Sequence, residues 1–343
     1  MREWLERVLD GRDLTEAEAG EVMRALANPE LPPAMAGAML AALRAKGATA
    51  DELRGFARAM RALARRPQID AAVHARAIDI VGTGGDASGS VNISTGTALL
   101  AAASGLPVIK HGNRSVSSRS GSADVLEKLG LSLPLDERRA GECLAATQFT
   151  FLFAPHYHPA MKSIAPVRQA LGVRTIFNVM GPLTNPAEPP FQVVGAYSEA
   201  MAELMAGTLA GMPGLTRAFV VHGANGWDEP TPIGPFTLFD VHAGSVRRSV
   251  RTPEDYGLVR CTAEALAGGD AVANAAALRA VLEGEDRGAH RDALCLGVSL
   301  ALECAGLVTA PREGVAHGMA AIDDGRARAT LAALAKFGAG VAS

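Results

Sequence analysis

The feature that most limits the fold is a change of pattern at Arg65-Arg66-Pro67. Up to that point the apolar residues recur at helical spacing, as in Trp4, Leu5, Val8 and Leu9. Two capping boxes, Thr15-x-x-Glu18 and Thr49-x-x-Glu52, open further helices. Asn28-Pro29 and Pro32-Pro33 end one helix and start the next, which Gly47 stops. Its small residues predict close helix packing. Beyond Pro67, short β-rich runs alternate with helical ones: Ile78–Val81, a helix from about Thr95, Leu106–Ile109, and a helix near Ala123–Leu129. Residues 191–197 and 217–223 flank another helix, and 236–241 with 245–250 read as a hairpin around His242-Ala243-Gly244. The last seventy-odd residues return to helix. A helical segment followed by strand–helix alternation predicts an α/β protein built on a largely parallel sheet.

Composition removes several classes of function. With 33 basic and 36 acidic residues the net charge is −3, so no overall field gathers nucleic acid or an anionic membrane. The longest mostly apolar run, Ala98–Ile109, is broken by Ser104, Gly105 and Pro107, and falls short of the ~18 residues a bilayer span needs. The start, MREWLERVLDGRD, lacks the basic head and apolar stretch of a signal peptide, so the expected location is cytoplasmic. Cys143, Cys261, Cys295 and Cys304 form no C-x-x-C and read as reduced core thiols.

Four segments carry chemistry. Gly82-Thr83-Gly84-Gly85-Asp86 directly follows the first strand, and Asn92-Ile93-Ser94-Thr95 opens the helix after it. Glycines there leave amides uncovered, and hydroxyls at a helix start bind phosphate, or a metal held by phosphate, as readily as they cap. Alone, the loop equally describes a tight strand–helix turn. Lys110 to Ser122 holds three cations and five serines, Ser115, Ser117, Ser118, Ser120 and Ser122, with no carboxylate before Asp124, which predicts an anion site. Asp228-Glu229 ends another strand; such a pair is usually surface charge, but beside two phosphate loops it suits Mg²⁺. Residues 151–186 contain His156, His158, Lys162, Arg168 and Arg174, with prolines framing a helix around 160–171. His156-x-His158 has no third ligand at metal spacing. Arg168 reads equally as a clamp for a carboxylate or as a surface helix residue, and Gly181 in GPLTNP suits a pocket lining.

Together GTGGD, NIST, KHGNRSVSSRSGSADVLEKLG, HPAMK, VRQALGVRTIFNVMGPLTNP and the later Asp-Glu pair resemble the anthranilate phosphoribosyltransferase family over nearly the whole chain. The resemblance implies transfer of the 5-phosphoribosyl group from phosphoribosyl pyrophosphate to the amine of anthranilate, a step of tryptophan biosynthesis. It implies a small helical domain, residues 1–70 joined in space by helices from about 160–185, and an α/β domain, 71–343, in a nucleoside phosphorylase-like fold. Gly82, Gly85, Asp86, Ser90, Asn92, Ile93, Ser94 and Thr95 would hold the donor. Lys110, His111, Gly112, Asn113, Arg114, Ser115, Val116, Ser117, Ser118 and Ser122 would close its other side. Asn113 and Arg168 would bind anthranilate, with Gly82, His111, His158 and Gly181 nearby. Ser94, Asp228 and Glu229 would carry Mg²⁺, two ions in all. No residue would act as a covalent nucleophile, and a homodimer would form through the helical domain, without nucleic acid or membrane.

The chain departs from the common family pattern at Ala87, where glycine is frequent, and at Ser90, Arg119 and Pro230. Pro230 removes an N–H beside the carboxylate pair. Two rival readings remain at this level: a phosphoribosyltransferase for another aromatic acid, and a nucleic-acid-binding relative, against which the net charge and the acidic pair both argue.

Overall fold

The computed structural model describes residues 1–115 and 119–340. The helical segment consists of α1 (Arg2–Leu9), α2 (Glu16–Ala27), α3 (Pro33–Lys46) and α4 (Ala50–Ala62). Both expected capping boxes form, at Thr15 and Thr49. The second also joins three elements, because the buried Glu52 carboxylate takes the Thr49 amide, the Leu14 amide and the Lys46 ammonium. Helices α2 and α4 approach closely, and a Cβ on Gly55 would stand 2.2 Å from the Glu16 carbonyl oxygen.

Seven strands form one sheet in the order β3-β2-β1-β4-β5-β6-β7. These are β1 (Ile78–Gly82), β2 (Val108–Gly112), β3 (Phe149–Phe153), β4 (Phe191–Gly195), β5 (Arg217–His222), β6 (Phe236–His242) and β7 (Ser245–Arg251). The first five are parallel, and β6 and β7 add the expected hairpin antiparallel to them. Its turn places Ala243 and Gly244 at φ 50° and 76°, the left-handed pair that matches strand twist in a two-residue hairpin. Because β1 has β2 on one side and β4 on the other, the connections leave β1 in opposite directions. That opens a crevice at the carboxyl ends of the strands, where ligands of open α/β sheets bind.

Around β1, β4, β5 and β6 the two faces of the sheet belong to different cores. Ile78, Ile80, Val193, Phe219 and Val221 pack with the helices Ile93–Ala103 and Ala289–Cys304. Val194, Ala196, Ala218 and Val220 share the second core with Met23, Met39, Leu40, Leu53 and Phe56 of the helical segment. Ile164, Ile176, Phe177, Met180 and Leu183 join that second core, and the Met161–Leu171 helix packs on α2 and α3. The residues 160–185 therefore cover the helical segment from the far side of the sequence.

The helix expected around 160–171 forms as Met161–Leu171, with Pro166 inside it. The helix survives because Pro166 is exposed and costs one backbone bond, while Ile164 is fully buried in the core. The helix expected from about Thr95 begins at Ile93, so Ser94 and Thr95 sit within its first turn. Of the four cysteines, all unbridged, Cys261 is only partly buried. No helix among the described residues is long and apolar enough to cross a membrane.

Candidate active site

The carboxyl ends of β1, β2, β4 and β5 surround a cleft of about 1010 Å³. Gly82 to Thr95 line one side, Lys110 to Ser115 and Arg119 to Ser122 another, and Asp228 and Glu229 a third. The C-terminal end of α3 and residues 174–179 close it from the helical side. The four sequence segments thus converge on one space, although they are separated by up to about 150 residues.

Three glycines make the convergence possible. A Cβ on Gly82 would stand 2.4 Å from Asp228 Oδ2, one on Gly195 1.6 Å from the Asp228 carbonyl oxygen, and one on Gly223 2.1 Å from the Glu229 carbonyl oxygen. The Asp228-Glu229 loop therefore folds back across three strand ends that carry no side chain. The Asp228 carboxylate accepts from the Gly84 amide, its own amide donates to Asp86 Oδ2 at 3.3 Å, and Glu229 Oε1 accepts from the Ser94 amide at 3.0 Å. Burial, then the neighbouring Asp86, pushes Asp228 up to about 7. Burial, then Asp228, pushes Glu229 up to about 8. Acidic oxygens crowded in this way favour a cation among them. Among the described residues no group of three or more His, Cys, Asp or Glu forms a self-sufficient metal cage. Pro230 leaves this loop closed: the Gly223 amide still reaches the Trp227 carbonyl at 2.8 Å.

The glycine loop has Gly84, Gly85, Ala87 and Gly89 all at positive φ. Ala87 thus preserves size but carries a left-handed backbone that glycine would adopt without cost. Asp86 caps this turn through the Ser88 amide and hydroxyl, and the Ser88 hydroxyl meets Ser90 at 3.1 Å. The first-turn amides of the next helix are partly committed, Ile93 to the Val91 carbonyl and Thr95 to the Asn92 carbonyl. The Asn92 side chain spans the cleft floor, donating to the Ser120 carbonyl at 3.3 Å and accepting from Asn274 at 2.8 Å.

Lys110 is buried, and its ammonium donates to the Ile80 carbonyl and to Ser94 Oγ. Burial lowers its pKa, against the opposing pull of Asp79, Glu229 and Asp228. Asp79 is held by Asn185 Nδ2 at 2.8 Å, which also reaches the Ile109 carbonyl, so β1 and β2 are clamped just below the site. Gly112 leaves room for Ser122 Oγ, 2.5 Å from where its Cβ would stand, and Ser122 Oγ donates to the Asn113 carbonyl. Arg114, expected on phosphate, is engaged by Asp124 and by both oxygens of Glu127, which hold its pKa above the ordinary value. Ser115 donates its amide to Asp124. Val116, Ser117 and Ser118 lie outside the described residues.

The residues expected around the acceptor divide. Gly82, His111 and Asn113 line the cleft, whereas Arg168, His158 and Gly181 do not. His158 is buried with its ring 5.0 Å from that of His111, edge to face. Burial pushes His158 down to about 4 and His111 well below its usual range, so both rings are neutral at pH 7. The Arg168 guanidinium lies 5.3 Å from the Phe177 ring centroid, and burial lowers its pKa. Four lining residues lie outside the segments that the sequence singles out: Arg44, Tyr197, Gly269 and Asn274. Only Gly268-Gly269-Asp270, a turn ending in a helix cap, marked the last pair.

The chain matches the "Glycosyl transferase family, helical bundle domain" over residues 2–64 and the "Glycosyl transferase family, a/b domain" over 74–328. It is 45% identical over 333 residues to anthranilate phosphoribosyltransferase of Pelotomaculum thermopropionicum, covering 97% of this chain and 95% of that one. The chain belongs to the anthranilate phosphoribosyltransferase family. Another member, from Anaeromyxobacter sp., is 48% identical over 95% of each chain. The crystal structure of the family member from Thermus thermophilus superposes with a TM-score of 0.89, at 42% identity over 97% of this chain and 98% of that one. The Saccharomyces cerevisiae anthranilate phosphoribosyltransferase in complex with PRPP and Mg shares the fold at TM-score 0.89 and 24% identity, over 98% and 97% of the two chains.

Proposed function

We infer that this protein transfers the 5-phosphoribosyl group of phosphoribosyl pyrophosphate to the amine of anthranilate, releasing pyrophosphate, as a step of tryptophan biosynthesis. The observation that carries the reading is the convergence of the Gly82–Asp86 loop, the Ile93 helix start, the Lys110–Ser115 segment and Asp228-Glu229 on one cleft, in a chain matched along its length by that family.

In this reading Gly82, Gly85, Asp86, Ser90 and Asn92 to Thr95 hold the donor on one side, and Lys110 to Ser118 with Ser122 hold it on the other. Asn113 and Arg168 orient the acceptor, with Gly82, His111, His158 and Gly181 around them. Two Mg²⁺ ions, held by Ser94, Asp228 and Glu229 with the donor's own oxygens, would neutralise charge on the departing pyrophosphate. The carboxylate pair fits this role because each acid accepts from one backbone amide and both crowd toward Asp86. The reaction needs no covalent nucleophile: the C1′–N bond forms as the C1′–O bond to pyrophosphate breaks, and the amine loses one proton. Neutral His111 and His158 add no charge of their own against the positive charge that develops on the ribose. What the chain supplies is position and electrostatic stabilisation of the leaving group.

The same reading divides the chain into a helical unit, residues 1–70 with about 160–185, and a catalytic unit, 71–343. It places the enzyme in the cytoplasm as a homodimer joined through the helical unit. Exposed Leu9 beside partly exposed Trp4 and Leu5 on α1 supports an interface there. Loss of anthranilate fluorescence on adding phosphoribosyl pyrophosphate and Mg²⁺ tests the activity. Rapid loss, slowed in Arg168→Ala and Asp228→Asn, is expected; no loss, with the donor still bound, would point to another aromatic acid as acceptor.

A further inference from the structure

Arg174 stands on the same segment as Arg168 but, unlike Arg168, lines the cleft and reaches the glycine loop. It follows Gly172, whose φ of 61° ends the Met161–Leu171 helix and turns the chain toward the glycine loop. Its Nη2 donates to the Gly85 carbonyl at 3.0 Å, and its guanidinium carbon lies 5.4 Å from the Tyr197 ring centroid. The approach is close, since a Cβ on Gly85 would stand 2.5 Å from Nη2. The Arg174 carbonyl in turn accepts from Arg44 Nη1 near the end of α3. Among the described residues no carboxylate pairs with Arg174. A continuous strap therefore runs from the helical segment through Arg174 to the middle of the glycine loop.

A loop with four positive-φ positions between Gly84 and Gly89 has little intrinsic preference for one conformation, because three of the four are glycines. A hydrogen bond to the carbonyl at its centre selects one. We propose that Arg174 is a positioning residue for the phosphoribosyl pyrophosphate site, holding the Gly82–Asp86 loop in its binding-competent conformation and linking that conformation through Arg44 to the seating of α3. The proposal rests on the donor site assigned above. Without the strap only a fraction of molecules would present the competent loop, and apparent donor affinity falls by that fraction.

The test is calorimetric binding of phosphoribosyl pyrophosphate with Mg²⁺, with steady-state kinetics, on wild type, Arg174→Ala, Arg174→Lys, Arg44→Ala and the double alanine variant. Arg174→Ala should weaken donor binding about tenfold, in keeping with a loop that is competent about a tenth of the time, and leave the KM for anthranilate nearly unchanged. Arg174→Lys should recover part of the loss, since an ammonium can reach the Gly85 carbonyl but lacks the planar guanidinium that lies over the Tyr197 ring. The Arg44 and Arg174 effects should be less than additive, because both act on one strap. Should Arg174→Ala fold poorly, Tyr197→Leu removes the ring alone and should weaken donor binding in the same direction. Unchanged donor affinity in a folded Arg174→Ala protein, or a loss confined to anthranilate, overturns the proposal alone. A wild-type protein that does not bind phosphoribosyl pyrophosphate overturns the donor site and this inference with it.

Discussion

The carbonyl oxygen of Asp228 rests against Gly195, 1.6 Å from where a Cβ at that position would stand. No rotamer relieves such a contact, because both partners are main chain. Gly195→Ala must therefore lift the Asp228-Glu229 loop from the ends of β1 and β4, separating the carboxylates from Gly84 and Ser94. The expected outcome is a loss of activity of at least about a hundredfold and a destabilisation of about 3 kcal/mol, at the upper end for overpacking. Urea unfolding monitored alongside turnover checks both; a fully active, wild-type-stable Gly195→Ala protein would show that the loop sits elsewhere when substrate is bound.

Asp228→Asn keeps the shape of the site and removes one negative charge. Activity should then require about tenfold or more Mg²⁺ for half-saturation. It should also make the protein somewhat more stable in the absence of metal, since the like-charge contact with Asp86 disappears. A magnesium titration of the rate, with thermal melts in chelator, measures the two effects, and an unchanged magnesium requirement would remove Asp228 from the metal site.

His158 makes stability depend on pH. Burial puts its pKa near 4 in the folded protein against an ordinary 6.5, so between these values the unfolded chain binds more protons. Stability is therefore fully present above pH 6.5 and falls as the pH drops toward 4, by about 3 kcal/mol from this one ring. His111, shifted in the same direction, adds to the slope. Denaturant midpoints at pH 7.5 and 4.5 in wild type and His158→Gln should show a shallower decline in the variant; parallel declines would mean the ring is not buried neutral.

Ala87 has φ 55°, whereas the loop's other positive-φ positions, Gly84, Gly85 and Gly89, are glycines. Replacing it by glycine relieves about 1 kcal/mol of left-handed strain, offset by a comparable gain of freedom in the unfolded chain. Stability should change by less than about 1 kcal/mol, while donor binding should weaken modestly, because another rigid position in the loop is lost. Tighter donor binding in Ala87→Gly would mean that Ala87 holds the loop away from its binding conformation.

Much of the fold is legible in the sequence because its signals are local. The capping boxes at Thr15 and Thr49, the hairpin turn at Ala243-Gly244 and the strand-then-glycine pattern at Ile78–Gly85 each depend on residues within a few positions of one another. The helix over 161–171 was legible too, and it carries Pro166 because that residue is exposed while Ile164 is buried.

The chemical segments of the site are equally local: the residue types that bind phosphate and metal stand in short runs, so the sequence by itself determined which chemistry the chain carries and on which strand ends it sits. What only the tertiary structure decided is how these runs meet. Gly195 and Gly223 are silent in the sequence, and matter because a loop dozens of residues away in one case folds over them. Arg114 reads as an unpaired cation until Glu127, one helix later, meets its guanidinium. Arg174 is one cation among several until Gly85, 89 positions earlier, presents its carbonyl. Local hydrogen bonding and side-chain periodicity are written along the chain, whereas close approach and charge pairing depend on distances through space that only packing sets.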